Sequence, residues 1–129
     1  MRVFLLALLF CCQLLTAAAA NVPLMPVRDL RAGMQGIGKT VISGDTIETF
    51  NVEILGVNVS EAMGYNIFVR LYGDLIEKTG GVAQGMSGSP VYVDGRLVGA
   101  VAFGKTFNDP HYCFLTPIGK MLPLLDEPR

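Results

Sequence analysis

The sequence has few of the residues that build metal sites and disulfide frameworks. Its 129 residues include three cysteines and one histidine, His111. Cys11 and Cys12 lie in an N-terminal apolar segment, so a chain that has lost this segment keeps Cys113 alone and forms no internal disulfide. One cysteine and one histidine are too small a set for a zinc site. We therefore expect neither a metal nor a cofactor, and we expect Cys113 to be a buried, inert thiol.

Charged residues are also few, and neither sign dominates. Ten basic and eleven acidic residues give a formal net charge of −1. Nucleic-acid binding needs clustered Lys and Arg, which this chain lacks, so we expect no nucleic-acid partner. The sequence also has no internal repeat and no low-complexity linker, and the residues after the N-terminal segment suffice for one domain.

Residues 1–20 have the pattern of a secretory signal peptide. Arg2 precedes an apolar run from Val3 to Leu15, and small residues follow up to Ala20. The run is shorter than the roughly 20 residues of a transmembrane helix. We predict cleavage near Ala20 and an exported protein, located in the periplasm, in the cell envelope or outside the cell. An uncleaved membrane anchor is the alternative.

The remaining residues predict an all-β fold. Residues 21–32 contain two prolines and predict an extended arm, and residues 33–125 predict the domain itself. Two β-rich runs flank Asp94-Gly95, which is a strong hairpin signal. A helical turn is expected at 74–81, and Pro117 begins a short C-terminal helix packed by Ile118, Met121 and Leu122. We predict six strands in a single small barrel, at 39–44, 46–57, 65–73, 89–93, 96–103 and 112–116.

The stretch Gly33–Thr40, GMQGIGKT, matches the phosphate-binding pattern G-x-x-x-x-G-K-[ST]. A P-loop joins a buried strand to the N-terminus of a helix. Here PVRDLRA precedes the match and VISGDTIETF follows it, and these predict neither a buried strand nor a helix. We predict no nucleotide binding. The expected structure is a glycine-rich bend into the first strand, with Gly33, Gly36 or Gly38 at positive φ.

The stretch that carries chemistry is GMSGSP, residues 85–90, of the form G-x-S-G-x-P. A nucleophilic serine needs a tight turn that exposes its hydroxyl and N–H groups that converge on an oxyanion. Gly85 and Gly88 permit such a turn around Ser87, and the N–H groups of Gly85, Met86 and Ser87 are the predicted oxyanion hole. Ser89 is expected to be a turn residue. The alternative is a turn shaped only for folding.

The motif with its hairpin resembles the C-terminal barrel of chymotrypsin-like serine proteases. The wording TGG-x-x-QGMSGSPVY-x-DG-x-LVGA-V, residues 79–101, is similar to the SpoIVB-type serine peptidases and their bacterial relatives. Residues 33–57 and the closing LTPIGKML are similar to them as well, so the resemblance covers about residues 25–123. It implies a single six-stranded chymotrypsin-like β-barrel with serine endopeptidase activity on proteins of the envelope or spore-coat region.

The resemblance also implies roles for particular residues. Ser87 corresponds to the nucleophile, and Asp74 is the candidate for a triad aspartate that precedes the TGG segment. The G-x-G-H or LGH-type histidine motif of the family is absent, and His111 is the only imidazole. A solvated loop carboxylate and a surface-loop histidine are the alternatives for Asp74 and His111.

The missing histidine motif leaves the source of the general base open. A chymotrypsin-like site lies between two barrels, and this chain has room for one. We predict that the base comes from another chain or a longer parent protein. Lys78 or Lys105 as the base of a Ser-Lys dyad would need a desolvated lysine. The alternative function is a non-catalytic peptide-binding module, or a truncated fragment of a larger peptidase.

Overall fold

The β-rich segments of the sequence form six strands that close into an antiparallel barrel. The computed structural model describes residues 21–62, 64–102 and 108–125, so the predicted signal peptide and Lys105 lie outside the described residues. The strands are β1 (Gln35–Thr40), β2 (Glu48–Ser60), β3 (Gly64–Tyr72), β4 (Pro90–Val93), β5 (Arg96–Ala102) and β6 (Tyr112–Pro117), and the helices are α1 (Asp74–Thr79) and α2 (Ile118–Met121). Their order around the barrel is β1-β2-β3-β6-β5-β4. The predicted six-stranded barrel is confirmed.

The barrel interior is filled by the apolar half of each alternating strand. From Phe50 to Ile54 on β2 and from Ile67 to Leu71 on β3, every second residue is buried, and the residues between them are exposed or half-buried. Burying one such aliphatic side chain contributes about 1.5–3 kcal/mol, so this alternation fixes the register of the strands. The inward set on these two strands is Phe50, Val52, Ile54, Ile67, Val69 and Leu71.

The first strand begins earlier than predicted. The segment 39–44 was expected to form it, but β1 spans Gln35–Thr40, so the P-loop-like stretch is itself a strand. Gly33 alone of the three candidate glycines has positive φ, +90°. Its N–H donates to the carbonyl of Ile54 at 2.7 Å while Ile54 N–H donates to the carbonyl of Met34 at 2.9 Å, which is the pattern of a G1 β-bulge.

Gly38 is required inside β1 for another reason. A Cβ at this position would lie 2.1 Å from Cζ of Phe50, whose ring covers the strand. The prediction of a bend was wrong here because the partner that makes glycine necessary lies on the neighbouring strand, which local sequence does not reveal.

The hairpin and the first helix form where the sequence predicts them. Asp94 and Gly95 have φ values of 50° and 71°, as the type I′ turn between β4 and β5 requires. Helix α1 ends at Thr79 because Gly80 adopts the left-handed conformation. None of the described helices is long and apolar enough to cross a membrane.

The N-terminal arm covers part of β5. Met25 N–H donates to the carbonyl of Leu97 at 2.9 Å, and Leu97 N–H donates to the carbonyl of Pro23 at 2.8 Å. Strand β5 pairs with β6 only from Gly99 to Ala102, and the arm pairs with the part of β5 that precedes Gly99. The arm is extended only in part, because Val27–Asp29 forms a 3-10 turn.

The C-terminal helix is shorter than predicted. Helix α2 contains one turn and continues as a 3-10 turn at Leu122–Leu125. Its packing residues Ile118 and Met121 are half-buried and Leu122 is 38% exposed, so the helix lies on the barrel rather than entering the core.

Candidate functional site: the Ser87 groove

Two successive β-turns display Ser87. The first is closed by Met86 N–H donating to the carbonyl of Ala83 at 3.1 Å, and the second by Ser89 N–H donating to the carbonyl of Met86 at 3.0 Å. The third residue of each turn is a glycine with positive φ, Gly85 at 94° and Gly88 at 85°. A type II turn demands positive φ at this position. Ser87 is therefore the second residue of the second turn, and its side chain is exposed.

Buried contacts on both sides of Ser87 hold the loop in place. The side chain of Met86 lies in the core with no exposed surface. Ser89 is 6% exposed, and its hydroxyl donates to Thr40 Oγ1 at 2.9 Å. Gly88 N–H donates to the carbonyl of Val101 at 2.7 Å. These contacts fix the exposed hydroxyl of Ser87 relative to the barrel.

A groove of about 470 Å³ opens in front of Ser87. The pairing of β1 with β4 ends at Gly38↔Val91. Pro90 has no N–H to extend this ladder, and the N–H of Ser89 is used in its turn, so the two strands separate here. The groove is lined by Lys39, Thr40, Val41, Ile47, Gly85, Ser87, Gly88, Ser89, Pro90 and Tyr92.

The amides of the predicted oxyanion hole differ in their availability. Met86 N–H is engaged with the carbonyl of Ala83. The N–H groups of Gly85 and Ser87 have no acceptor among the residues that the structure describes. In this conformation, Gly85 and Ser87 are therefore the two amides of the predicted set that can still donate to a substrate oxygen.

Of the predicted triad residues, Ser87 alone lines the groove formed by the described part of the chain. Asp74 is the exposed first residue of α1. His111 lies in the segment that leads into β6, with its carbonyl accepting from Leu71 N–H at 2.8 Å. Neither Asp74 nor His111 is among the described residues that line the Ser87 groove.

His111 is held between two carboxylates. Its Nδ1 lies 2.7 Å from Asp109 Oδ1 and its Nε2 lies 3.1 Å from Glu77 Oε1. The hydrogen bond to Asp109, followed by that to Glu77, raises the pKa of His111 above its ordinary value. The pKa of Asp109 is lowered, first by the backbone N–H of His111 and then by the imidazole. This cluster ties α1 to the segment before β6.

Lys39 is a groove residue that the sequence analysis missed. The lysines named as alternative bases are Lys78 and Lys105, and Lys39 belongs to the P-loop-like stretch. Its ammonium lies 5.3 Å from the centre of the Tyr92 ring, and it has no acidic partner within the described residues. The alternation along β1 is the sequence signal that places Lys39 outward, and it becomes visible only once this stretch is known to be a strand.

Cys113 plays no part in the groove. It is a free thiol on β6 and 2% exposed, and burial raises its pKa to about 12. The prediction of a buried thiol is confirmed, and the raised pKa favours the predicted inertness. Within the described ranges, no three His, Cys, Asp or Glu side chains are placed to hold a metal ion.

Comparison with known proteins identifies the family. A search of curated proteins gave no match. The family model for SpoIVB peptidase S55 matches residues 15–122, which is most of the chain. This family is one of serine peptidases, and its members act on protein substrates. The closed barrel, the G-x-S-G-x-P turn and the match to the family model together show that this chain belongs to the SpoIVB peptidase S55 family.

Proposed function

We propose that this chain is a serine endopeptidase domain in which Ser87 is the nucleophile and the general base comes from another chain or another part of a longer protein. The observation that carries the proposal is the position of Ser87, whose exposed hydroxyl stands in the groove between the buried anchors Met86 and Ser89. A positioned hydroxyl beside open amides supplies two of the groups that acyl transfer needs, the nucleophile and the donors to the oxyanion. Membership in the peptidase family supports the same chemistry.

The proposed reaction is a two-step acyl transfer. Ser87 Oγ attacks the scissile carbonyl carbon and gives its proton to the base. The N–H groups of Gly85 and Ser87 donate to the oxyanion that forms. The C–N bond then breaks, and the departing amine takes the proton from the base. Water hydrolyses the acyl-enzyme in the second step and regenerates the Ser87 hydroxyl.

The described residues supply no suitable base in the groove. Both ring nitrogens of His111 are engaged by carboxylates, and His111 does not line the groove. Lys39 lines it but is exposed, whereas a lysine acts as a base when it is desolvated. Loss of the base from a serine protease site lowers kcat by about 10⁴- to 10⁶-fold. Turnover by this chain alone is therefore expected to be very slow.

A fluorophosphonate probe tests the proposal. We expect slow labelling of the purified chain that is lost in Ser87→Ala, because the probe reacts with a positioned serine and this serine lacks its base. Added imidazole should accelerate labelling of the wild-type chain, since it replaces the missing base. Ser43→Ala serves as the control, because Ser43 is exposed and does not line the groove, and this variant should retain labelling at Ser87.

Two outcomes would contradict the catalytic proposal. One is labelling that survives Ser87→Ala. The other is no labelling, with or without imidazole, in a chain whose circular dichroism spectrum shows an intact β-fold. The second outcome would favour a peptide-binding module, the alternative function supported by the absence of a base among the residues lining the groove.

We also propose that the domain is exported. The support is the pattern of Arg2, the following apolar run and the small residues up to Ala20. Expression of residues 1–129 in a bacterial host should yield a periplasmic or extracellular product. Its intact mass should equal that of a chain that begins at Asn21. Product that keeps residues 1–20 in the membrane fraction would contradict this expectation.

A further inference from the structure

A larger concavity on the outer face of the barrel lies next to the Ser87 groove. This outer trough has a volume of about 800 Å³, and Lys39 and Tyr92 line both it and the groove. The two concavities therefore adjoin at these two residues. The trough is lined by Asn21, Val22, Pro23, Gln35, Gly36, Ile37, Lys39, Asn51, Tyr72, Tyr92, Asp94 and Gly95.

Strand pairing gives the outer trough its shape. Tyr92 of β4 pairs with Ile37 of β1, Ile37 pairs with Asn51 of β2, and Asn51 pairs with Tyr72 of β3. Long aromatic side chains thus stand at the two ends of a cross-strand row, with shorter side chains between them. Three strand spacings of about 4.8 Å make the row roughly 14 Å long. About four residues of an extended peptide cover that length.

The floor and one end of the trough offer apolar contacts. Ile37 is 49% exposed in the middle of the row. The Tyr72 hydroxyl donates to Gln35 Oε1, and the guanidinium of Arg70 lies 5.0 Å from the centre of the Tyr72 ring. These contacts hold the ring in one orientation, so that end of the trough is prepared before a ligand arrives.

The junction of the two concavities carries an unpaired positive charge. Lys39 is exposed there, and no acidic side chain of the described residues neutralises it. The other charged residue lining the trough is Asp94, in the β4–β5 turn. An acidic side chain on a bound peptide is complementary in charge to Lys39 at the junction. The ring of Tyr92 lies beside Lys39 and can contact the methylene groups of that peptide side chain.

We infer that the outer trough binds an extended stretch of the polypeptide substrate and that Lys39 selects an acidic side chain where this stretch enters the Ser87 groove. The choice of polypeptide as occupant rests on the proposed function, because the trough shares Lys39 and Tyr92 with the groove of the proposed nucleophile. The neighbouring peptide residue would lie over Ile37, which favours an apolar side chain there.

Peptide binding to the Ser87→Ala chain tests this inference without any turnover. The ligands are fluorescein-labelled neutral peptides of about twelve residues. A single Glu is moved through the sequence, and each Glu peptide has a Gln partner. In anisotropy titrations at low salt, we expect at least one Glu peptide to bind about two- to fivefold more tightly than its Gln partner. The preference should weaken at about 0.15 M salt because exposed charges are screened.

Matched lysine variants assign the preference to one residue. Lys39→Met should abolish the preference for Glu over Gln. Lys39→Glu should reverse it, so that a peptide with Lys in place of that Glu binds more tightly than the Gln peptide. Lys120→Met removes the same charge from a lysine that also lies over a tyrosine, 5.5 Å from the Tyr65 ring centre, but that lines neither concavity. It should leave the preference unchanged. Ile37→Glu should weaken binding of both peptides, since it places a carboxylate on the apolar floor.

The results separate this inference from the catalytic proposal. Absence of saturable binding up to about 1 mM peptide would overturn the inference, as would a Glu preference that persists in Lys39→Met. Glu-selective binding without fluorophosphonate labelling would remove the catalytic proposal and leave the inference standing. Labelling at Ser87 without any Glu preference would overturn the inference and leave the catalytic proposal standing.

Discussion

The hydroxyl of Ser89 donates a hydrogen bond of 2.9 Å to the hydroxyl of Thr40, across 49 residues of sequence. Both side chains are buried, at 6% and 5% exposure. Thr40 is the last residue of β1 and Ser89 closes the turn that displays Ser87. The pair therefore connects the loop at residues 85–90 to β1, whose Lys39 and Thr40 also line the groove.

Breaking this pair should destabilise the fold. Ser89→Ala leaves the Thr40 hydroxyl buried without a partner, which costs about 1–3 kcal/mol of unfolding free energy. Thr40→Val together with Ser89→Ala removes both polar groups, and the double variant should lose less stability than the two single variants summed. Urea denaturation of all four proteins measures the coupling. Strict additivity would show that the hydrogen bond has no net role.

Gly99→Ala should be among the most damaging glycine substitutions in the barrel. A Cβ at this position would lie 2.1 Å from the carbonyl oxygen of Thr116, a backbone atom on β6 that cannot rotate away. Overpacking of this kind costs about 1–3 kcal/mol or more. Gly56→Ala is the matched control on β2, because nothing lies within 4 Å of its Cβ. Urea midpoints that fall equally in both variants would contradict this account.

Gly88→Ala should separate reactivity from stability. No atom lies within 4 Å of a Cβ there, so the substitution acts only through the φ of +85°. Holding alanine in this region costs about 1–2 kcal/mol, and the exposed turn can relax to avoid the strain. We expect the rate of Ser87 labelling by fluorophosphonate to fall severalfold, while the urea midpoint changes little. Unchanged labelling would show that the turn is not needed to position Ser87.

His111 should make stability depend on pH near neutrality. Hydrogen bonds to Asp109 and Glu77 raise its pKa above the ordinary 6.5, so the stabilisation is fully present below pH 6.5. It is lost as the pH rises through the raised pKa. The urea midpoint of the wild-type chain should therefore exceed that of His111→Gln at pH 5, and the difference should shrink towards pH 9. An imidazole NMR titration with a midpoint at or below 6.5 would contradict this prediction.

Asp109 sets the lower end of that pH window. Its pKa is lowered from the ordinary 3.8 by the N–H and imidazole of His111, so its contribution is present above pH 3.8 and is lost as the pH falls through the lowered value. Asp109→Asn should remove the loss of stability that Asp109 causes at acid pH. It should also bring the pKa of His111 back towards 6.5. A His111 titration that does not move in Asp109→Asn would show that Glu77 alone sustains it.

Cys113 should resist thiol reagents until the barrel unfolds. Burial raises its pKa to about 12, so almost no thiolate exists at pH 8, and the sulfur is covered by the core. Peptide-level mass spectrometry after iodoacetamide treatment should find Cys113 unmodified in buffer and fully modified in urea. Rapid modification of the folded chain would indicate local opening of β6.

Short sequence patterns accounted for the elements whose determinants are close in the chain. The Asp94-Gly95 pair specified the hairpin because both residues tolerate the positive φ that its turn requires. The spacing of Gly85 and Gly88 around Ser87 indicated a turn with an exposed serine. Each of these predictions depends on residues within a few positions of one another.

The tertiary structure decided what depends on distant partners. Residue 38 of β1 must be glycine because the Phe50 ring covers it. Lys39 lines the Ser87 groove because β1 runs beside the loop at residues 85–90. The contact of His111 with Glu77 joins residues 34 positions apart. Barrel closure creates all of these neighbours at once. The sequence by itself determined a β-barrel with a serine turn, and only the closed barrel determined which side chains stand opposite that serine, because non-local pairing is fixed by packing rather than by local preference.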